Sequence, residues 1–208
     1  TGNNLGLDET IELNFRTTQA MYDSSIAVWN TKYHFNSVRP GTSIRQFYAD
    51  EQLLGGLVGS DFESYLPVPP FPDIASGHSG FSASFNSVLV DYFGSNTYGG
   101  SVVLADDSSL YSENGFDGLK NVGDDVTLTW DTFSQAAEQA GLSRLYGGIH
   151  TRSGDLIGQI IGYQVASTVT SKVDQLLHGS SHPSETEERK KQVFGSMQSD
   201  FLESDHDL

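Results

Sequence analysis

The sequence predicts an all-α helical bundle with long loops, on three observations. Apolar residues recur at three- and four-residue spacing in separate segments, around residues 11–29 and 81–92. Gly154, Gly158 and Gly162 form a small-residue stripe at one-turn spacing, a pattern that lets another helix approach closely. Between these segments lie proline-, glycine- and aspartate-rich stretches that suit loops rather than central strands.

The first helix is expected from about Leu7 to Tyr33, where Ile11, Phe15, Tyr22, Ile26 and Trp29 make one apolar stripe with Thr18 filling its gap. Lys32 follows Trp29 by three residues and shares its face. Pro40 ends any helix there. A short helix is expected over Ser43 to Leu54, before the glycines at 55, 56 and 59. Pro67 to Pro72 runs as a stiff extended loop that delivers Phe71 and then Ser76-Gly77-His78. Phe81, Phe85, Val88, Leu89 and Tyr92 resume helical spacing, and Gly94 stops it. Ser76 to His78 therefore sit at a helix N-terminus, where free N–H groups and the dipole favour an anion.

Residues 95–125 read as a polar, glycine-rich surface excursion. Its acidic run reads as a solvated loop in preference to a calcium site, since no EF-hand spacing is present. Val126 to Trp130 alternates as a short strand, and Thr132 with Gln135 makes a capping box for a helix ending near Gly141. The last helix is expected over Gly154 to Leu177, and its Gln159, Gln164 and Lys172 mark it as water-soluble. Residues 179–208 lose periodicity and read as a polar, mobile tail, leaving 1–178 as the helical domain.

Composition narrows the function. The 208 residues suffice for one domain with a core. A net charge of −16 repels nucleic acid and anionic membranes, so no nucleic-acid partner is expected. The absence of cysteine excludes disulfides and thiolate chemistry. No apolar run is long enough for a transmembrane helix. The start at Thr1 suggests a processed or truncated polypeptide, and a secreted or periplasmic location is expected over a cytoplasmic one.

Against this acidic background, three short stretches gather cationic and imidazole groups. Lys32, Arg39 and Pro40 read K-x6-R-P; Ser76, Gly77 and His78 read S-G-H; Ser143, Arg144 and His150 read S-R-x5-H. Singly, each is better explained by exposed cations, a helix cap or a core histidine. Together they suit a small tetrahedral oxyanion held by charge-assisted hydrogen bonds, with one imidazole left to bond its central atom.

In order and spacing these stretches resemble the signature of the vanadium haloperoxidase and type 2 phosphatidic acid phosphatase superfamily, over about residues 10 to 175. The resemblance implies a helical bundle of that type, in which the 1–178 domain is catalytic and stands as the C-terminal half of a longer haloperoxidase. It implies vanadate as cofactor, with His150 as the axial vanadium ligand and Lys32, Arg39, Ser76, Gly77, His78 and Arg144 binding its oxygens. His78 is implied as general acid–base and Lys32 as the residue that polarises peroxide. The implied reaction oxidises halide with hydrogen peroxide to hypohalous acid, through a peroxovanadate at His150, and delivers the halogen to a small organic acceptor.

Trp29 and Phe71 match positions that carry hydrophobic halide-site residues in haloperoxidases, with core packing as the alternative for both. The superfamily leaves a second activity open, a phosphatase with a phospho-histidine at His150; a non-catalytic anion-binding domain is the third reading. Two departures stand out. Ala75 replaces the usual proline before Ser76, which loosens the loop, and Asp155 falls five residues after His150, not four. Asp155 or the neighbouring Ser153 is then the candidate to support His150. Since Lys32 comes so early, a homo-oligomer or a second chain supplying an N-terminal half is an expected partner.

Overall fold

The computed structural model describes residues 5–104 and 125–179. The acidic run from 106 to 124, with its calcium alternative, and the tail from 180 onward lie outside the described residues.

Among the described residues, five α-helices and a two-stranded sheet make the fold: α1 (Leu7–Phe35), α2 (Pro40–Phe47), α3 (Gly77–Phe93), β1 (Thr97–Leu104), β2 (Val126–Thr132), α4 (Phe133–Tyr146) and α5 (Arg152–His178). Helices α1, α3 and α5 pack against one another, and α4 lies against α3. Each motif falls at a helix end. Lys32 is in the last turn of α1, Arg39 caps α2, Ser76 caps α3, Arg144 is in the last turn of α4, and His150 precedes the Thr151 cap of α5.

Local chemistry explains these boundaries. The Gly6 N–H donates to Glu9 Oε2 (2.8 Å), closing the start of α1, and Asn36 in the left-handed region (φ 44°) ends it with an N–H donated to Lys32 O. Pro40 opens α2 rather than merely ending a helix: as the first helical residue it lacks only an N–H that would go unpaired, and it keeps Arg39 extended. The short helix accordingly runs over Pro40–Phe47, earlier than expected. Helix α4 passes Gly141 and continues to Tyr146. The polar excursion begins with strand β1, which pairs antiparallel with β2 from Thr97↔Thr132 to Leu104↔Val126, with an irregularity at Gly100.

The largest correction concerns α1. Its apolar stripe faces outward: Ile11, Phe15, Tyr22 and Ile26 are more than half exposed, and Trp29 is 38% exposed. The inward face carries Thr17, Ala20, Ser24, Val28 and Lys32. The reason is the closeness of α3. Ser24 Oγ donates to Gly80 O (3.2 Å), and a Cβ at Gly80 would stand 2.7 Å from Val28 Cγ2. Only small side chains fit between backbones so near each other, so the large ones turn away.

The α3–α5 contact obeys the same rule: side chains at Gly158 and Gly162 would collide with the backbone of Ser76 and Gly80. The apolar core between the helices is therefore small, built on Ala20, Val88, Ala166, Val169 and Val173. A buried Arg16, paired with Glu12 and Asp174 at 2.7 Å each, adds a tie from α1 to α5.

Candidate active site

Lys32, Arg39, Asp73, Ser76 and His150 are all buried and converge where the ends of α1, α2, α3 and α5 meet. The structure links five of the residues singled out in the sequence through the loop before α3. Lys32 Nζ donates to Pro72 O (2.8 Å) and Asp73 O (3.0 Å). Arg39 Nε donates to Phe71 O (2.9 Å), and its Nη1 donates to Ile149 O (2.7 Å) and lies 3.1 Å from His150 Nε2. The Phe71 ring packs under both cations, 5.2 Å from Lys32 Nζ and 5.0 Å from the Arg39 guanidinium carbon, and meets Trp29 edge-on at 4.8 Å.

His150 is supported by Asp73, a residue that the motif reading passed over. Asp73 Oδ1 lies 2.5 Å from His150 Nδ1. Thr151 donates to the same carboxylate, through its hydroxyl to Oδ2 and through its N–H at 3.3 Å. Asp155 does not serve His150; it accepts from Ser79 Oγ (2.5 Å) and from Gln159 Nε2 (3.1 Å). Ser153 does not either, since its hydroxyl meets Thr151 Oγ1 at 3.1 Å. The available signal was a lone aspartate in an apolar, proline-rich run three residues before Ser76, where burial demands a partner.

The loop carrying Asp73 is not loosened by Ala75. Asp73 N–H donates to Ser37 O (3.1 Å), Ile74 N–H to Ser37 Oγ (2.8 Å) and Ser76 N–H to Gly154 O (2.8 Å). Ala75 itself is fully buried. Three backbone donors thus fasten the segment that proline would have stiffened. Ser76 Oγ then caps α3 by accepting from Ser79 N–H (3.3 Å), which aims the free N–H of Gly77 outward from the helix end.

Charge states follow from burial and neighbours. Burial would raise the Asp73 carboxyl, but the bonds from His150 and Thr151 outweigh it and hold the pKa below the ordinary aspartate value. Burial, with Arg39 and Lys32 adding to it, lowers His150 against the opposing pull of Asp73. The neutral ring therefore gives its Nδ1 proton to Asp73 and turns a lone pair at Nε2 toward Arg39. Lys32 is lowered to about 8, first by burial and then by Arg39, against the opposing pull of Asp73. His78 stands at the solvent-facing rim, where partial desolvation, then Arg144 and His150, lower it to about 4.

The arrangement can hold an oxyanion. Three cations sit within electrostatic reach of two neutral imidazoles, one of which exposes a basic nitrogen toward a guanidinium. Arg39 Nη2 is buried with no hydrogen-bond partner among the described residues, so it awaits an acceptor. That orphaned donor, beside an imidazole nitrogen that meets Arg39 Nη1 and that a bound anion would take over, fits tetrahedral vanadate or phosphate. No cluster of three or more His, Asp or Glu suited to a bare metal cation occurs among the described residues.

Comparison with known proteins bears on the family and the fold. Residues 12–179 match the family model of the VCPO second helical-bundle domain. Among solved structures, an apo-type bacterial vanadium-dependent chloroperoxidase superposes with a TM-score of 0.73 at 22% identity, over 86% of this chain and 40% of that one. A bacterial vanadium-dependent iodoperoxidase gives 0.58 at 29% identity, over 79% and 34%. A holo-type bacterial vanadium-dependent chloroperoxidase gives 0.65 at 22%, over 77% and 35%. The chain thus spans well under half the length of these structures. No curated protein is significantly similar in sequence.

Proposed function

Since the chain belongs to the family of VCPO second helical-bundle domains, we propose that it carries the anion site of a vanadate-dependent haloperoxidase, oxidising halide with hydrogen peroxide to hypohalous acid. The observation that carries this reading is the Asp73–His150 pair, with its Nε2 lone pair facing a buried Arg39 that has a donor to spare.

Lys32, Arg39 and Arg144 would hold the vanadate oxygens by charge, Ser76 and the Gly77 N–H by hydrogen bonds, and His150 Nε2 the metal itself. When bound, vanadate supplies the Lewis-acid centre that activates peroxide toward halide. Asp73 keeps the His150 proton on Nδ1, so that Nε2 stays a donor of electrons throughout. His78, neutral at pH 7, stands at the rim as the general acid–base that would take up and return a proton as peroxide binds. The Lys32 ammonium, fixed by two backbone carbonyls, polarises the peroxide. Trp29 and Phe71 form an apolar wall beside Lys32 that would strip water from an approaching halide.

The partners of this reading are hydrogen peroxide, a halide and a small organic acceptor. The test pairs two assays on protein incubated with orthovanadate: bromide and iodide oxidation by peroxide, and hydrolysis of p-nitrophenyl phosphate without vanadate. Vanadate-dependent halide oxidation is expected. Phosphate-ester turnover without halide oxidation would reassign His150 as a phosphoryl nucleophile.

A further inference from the structure

We propose that Asp155, acting through Ser79, is a positioning residue for the Ser76 hydroxyl, a role that rests on Ser76 donating to the bound oxyanion. Three buried oxygens form a chain. Asp155, Ser79 and Ser76 are 2%, 1% and 0% exposed, and Ser79 Oγ lies 2.5 Å from Asp155 Oδ1 and 2.8 Å from Ser76 Oγ. A serine hydroxyl has one proton, and the carboxylate oxygen takes it. Ser79 therefore turns a lone pair toward Ser76, while its backbone N–H donates to Ser76 Oγ at 3.3 Å. Ser76 Oγ accepts from the Ser79 N–H and gives its proton to Ser79 Oγ; a charged acceptor takes that proton over, and the Ser79 N–H, anchored by Asp155 through the Ser79 side chain, keeps the oxygen in place.

The chain also ties two helix ends together. Asp155 belongs to the first turn of α5, next to Thr151 and His150, whereas Ser79 belongs to the first turn of α3, with Gly77 and His78. Beside it, Ser76 N–H donates to Gly154 O. The fold makes room for the pair at Gly141 of α4, where a Cβ would overlap Asp155 Oδ1 and stand 3.1 Å from Ser79 Oγ. A carboxylate one residue out of step with the superfamily pattern thus acquires a different role, registering the hydroxyl-bearing turn against the imidazole-bearing one.

The test measures binding of inorganic phosphate and of orthovanadate by calorimetry to the full chain, with thermal unfolding recorded in parallel. S76A, S79A and D155A are each expected to weaken binding about 10-fold, and D155N, which keeps an acceptor oxygen, by less than about 3-fold. In the S76A background, D155A should have no further effect, because the route to the anion is already cut. If D155A weakens binding equally with and without Ser76, Asp155 acts on general packing and the proposal falls. If S76A leaves both affinities unchanged, the fault lies in the assignment of Ser76 to the anion site.

Discussion

Asp73 and Asp155 are both buried carboxylates, 1% and 2% exposed, and each lies behind a residue of the pocket, yet their surroundings differ in kind. Asp73 accepts from an imidazole and from both donors of Thr151, with Lys32 and Arg39 near enough to feel its charge. Among the described residues, Asp155 accepts from two neutral donors, Ser79 and Gln159. The first therefore governs charge and tautomer, and the second governs the placement of a hydroxyl. Removing Asp73 strands two donors, the buried His150 Nδ1–H and the part-buried Thr151 hydroxyl, at about 1–3 kcal/mol each, whereas losing a single hydrogen bond whose donor can turn elsewhere costs about 1 kcal/mol.

The sharpest way to break the comparison is Asp73→Ala. It leaves Nδ1 of His150 buried without an acceptor and releases Thr151, so unfolding stability should fall by about 3 kcal/mol in denaturant titrations. Anion affinity should fall by roughly 10- to 100-fold, as expected for the residue that orients the imidazole proposed to bond the anion's central atom. Equal effects of Asp73→Ala and D155A would erase the distinction between the two carboxylates.

Gly141→Ala should come next. Its Cβ would press first on the Asp155–Ser79 pair, costing about 1–3 kcal/mol of overpacking, with anion affinity reduced toward the D155A value and the His150 environment by NMR unchanged.

The smallest effect is a shift with pH. Lys32 holds its proton below about pH 8, so affinity should be full below that value and decline as pH rises through it. The charge of Asp73 raises the Lys32 pKa, so Asp73→Asn should move the decline to lower pH, and D155N should leave it in place. Phosphate titrations spanning the Lys32 transition decide this.

Features written in local chemistry were legible beforehand. The Ser76 cap with its following helix, the Gly94 stop and the Thr132–Gln135 box each depend on a few neighbouring residues, and all three stand where the sequence placed them. Features decided by distant packing were not. The α1 stripe looked like a core face, but the near approach of Gly80 admits only small residues on the inner side, and no pattern within α1 encodes that. Strand β1 was masked because its glycines and serine read as loop, and pairing with β2 decides its conformation. Asp73 was missed for a similar reason: His150 lies 77 residues away, and the expected partner lay close by at Asp155 or Ser153.

The glycine contacts between α3 and α5 bear on how this pocket tolerates change. Helices separated by apolar side chains can yield a little, because one rotamer gives way to another. At Gly158 and Gly162 backbone meets backbone, and nothing there can adjust. Gly162 lies seven residues, about 10 Å, along α5 from Asp155, yet an added methyl group there would push apart the two helices whose first turns hold His78 and Asp155. Lesions that inactivate the protein are therefore expected along this seam as well as in the pocket, and they should act by spreading its walls while every reactive side chain is kept.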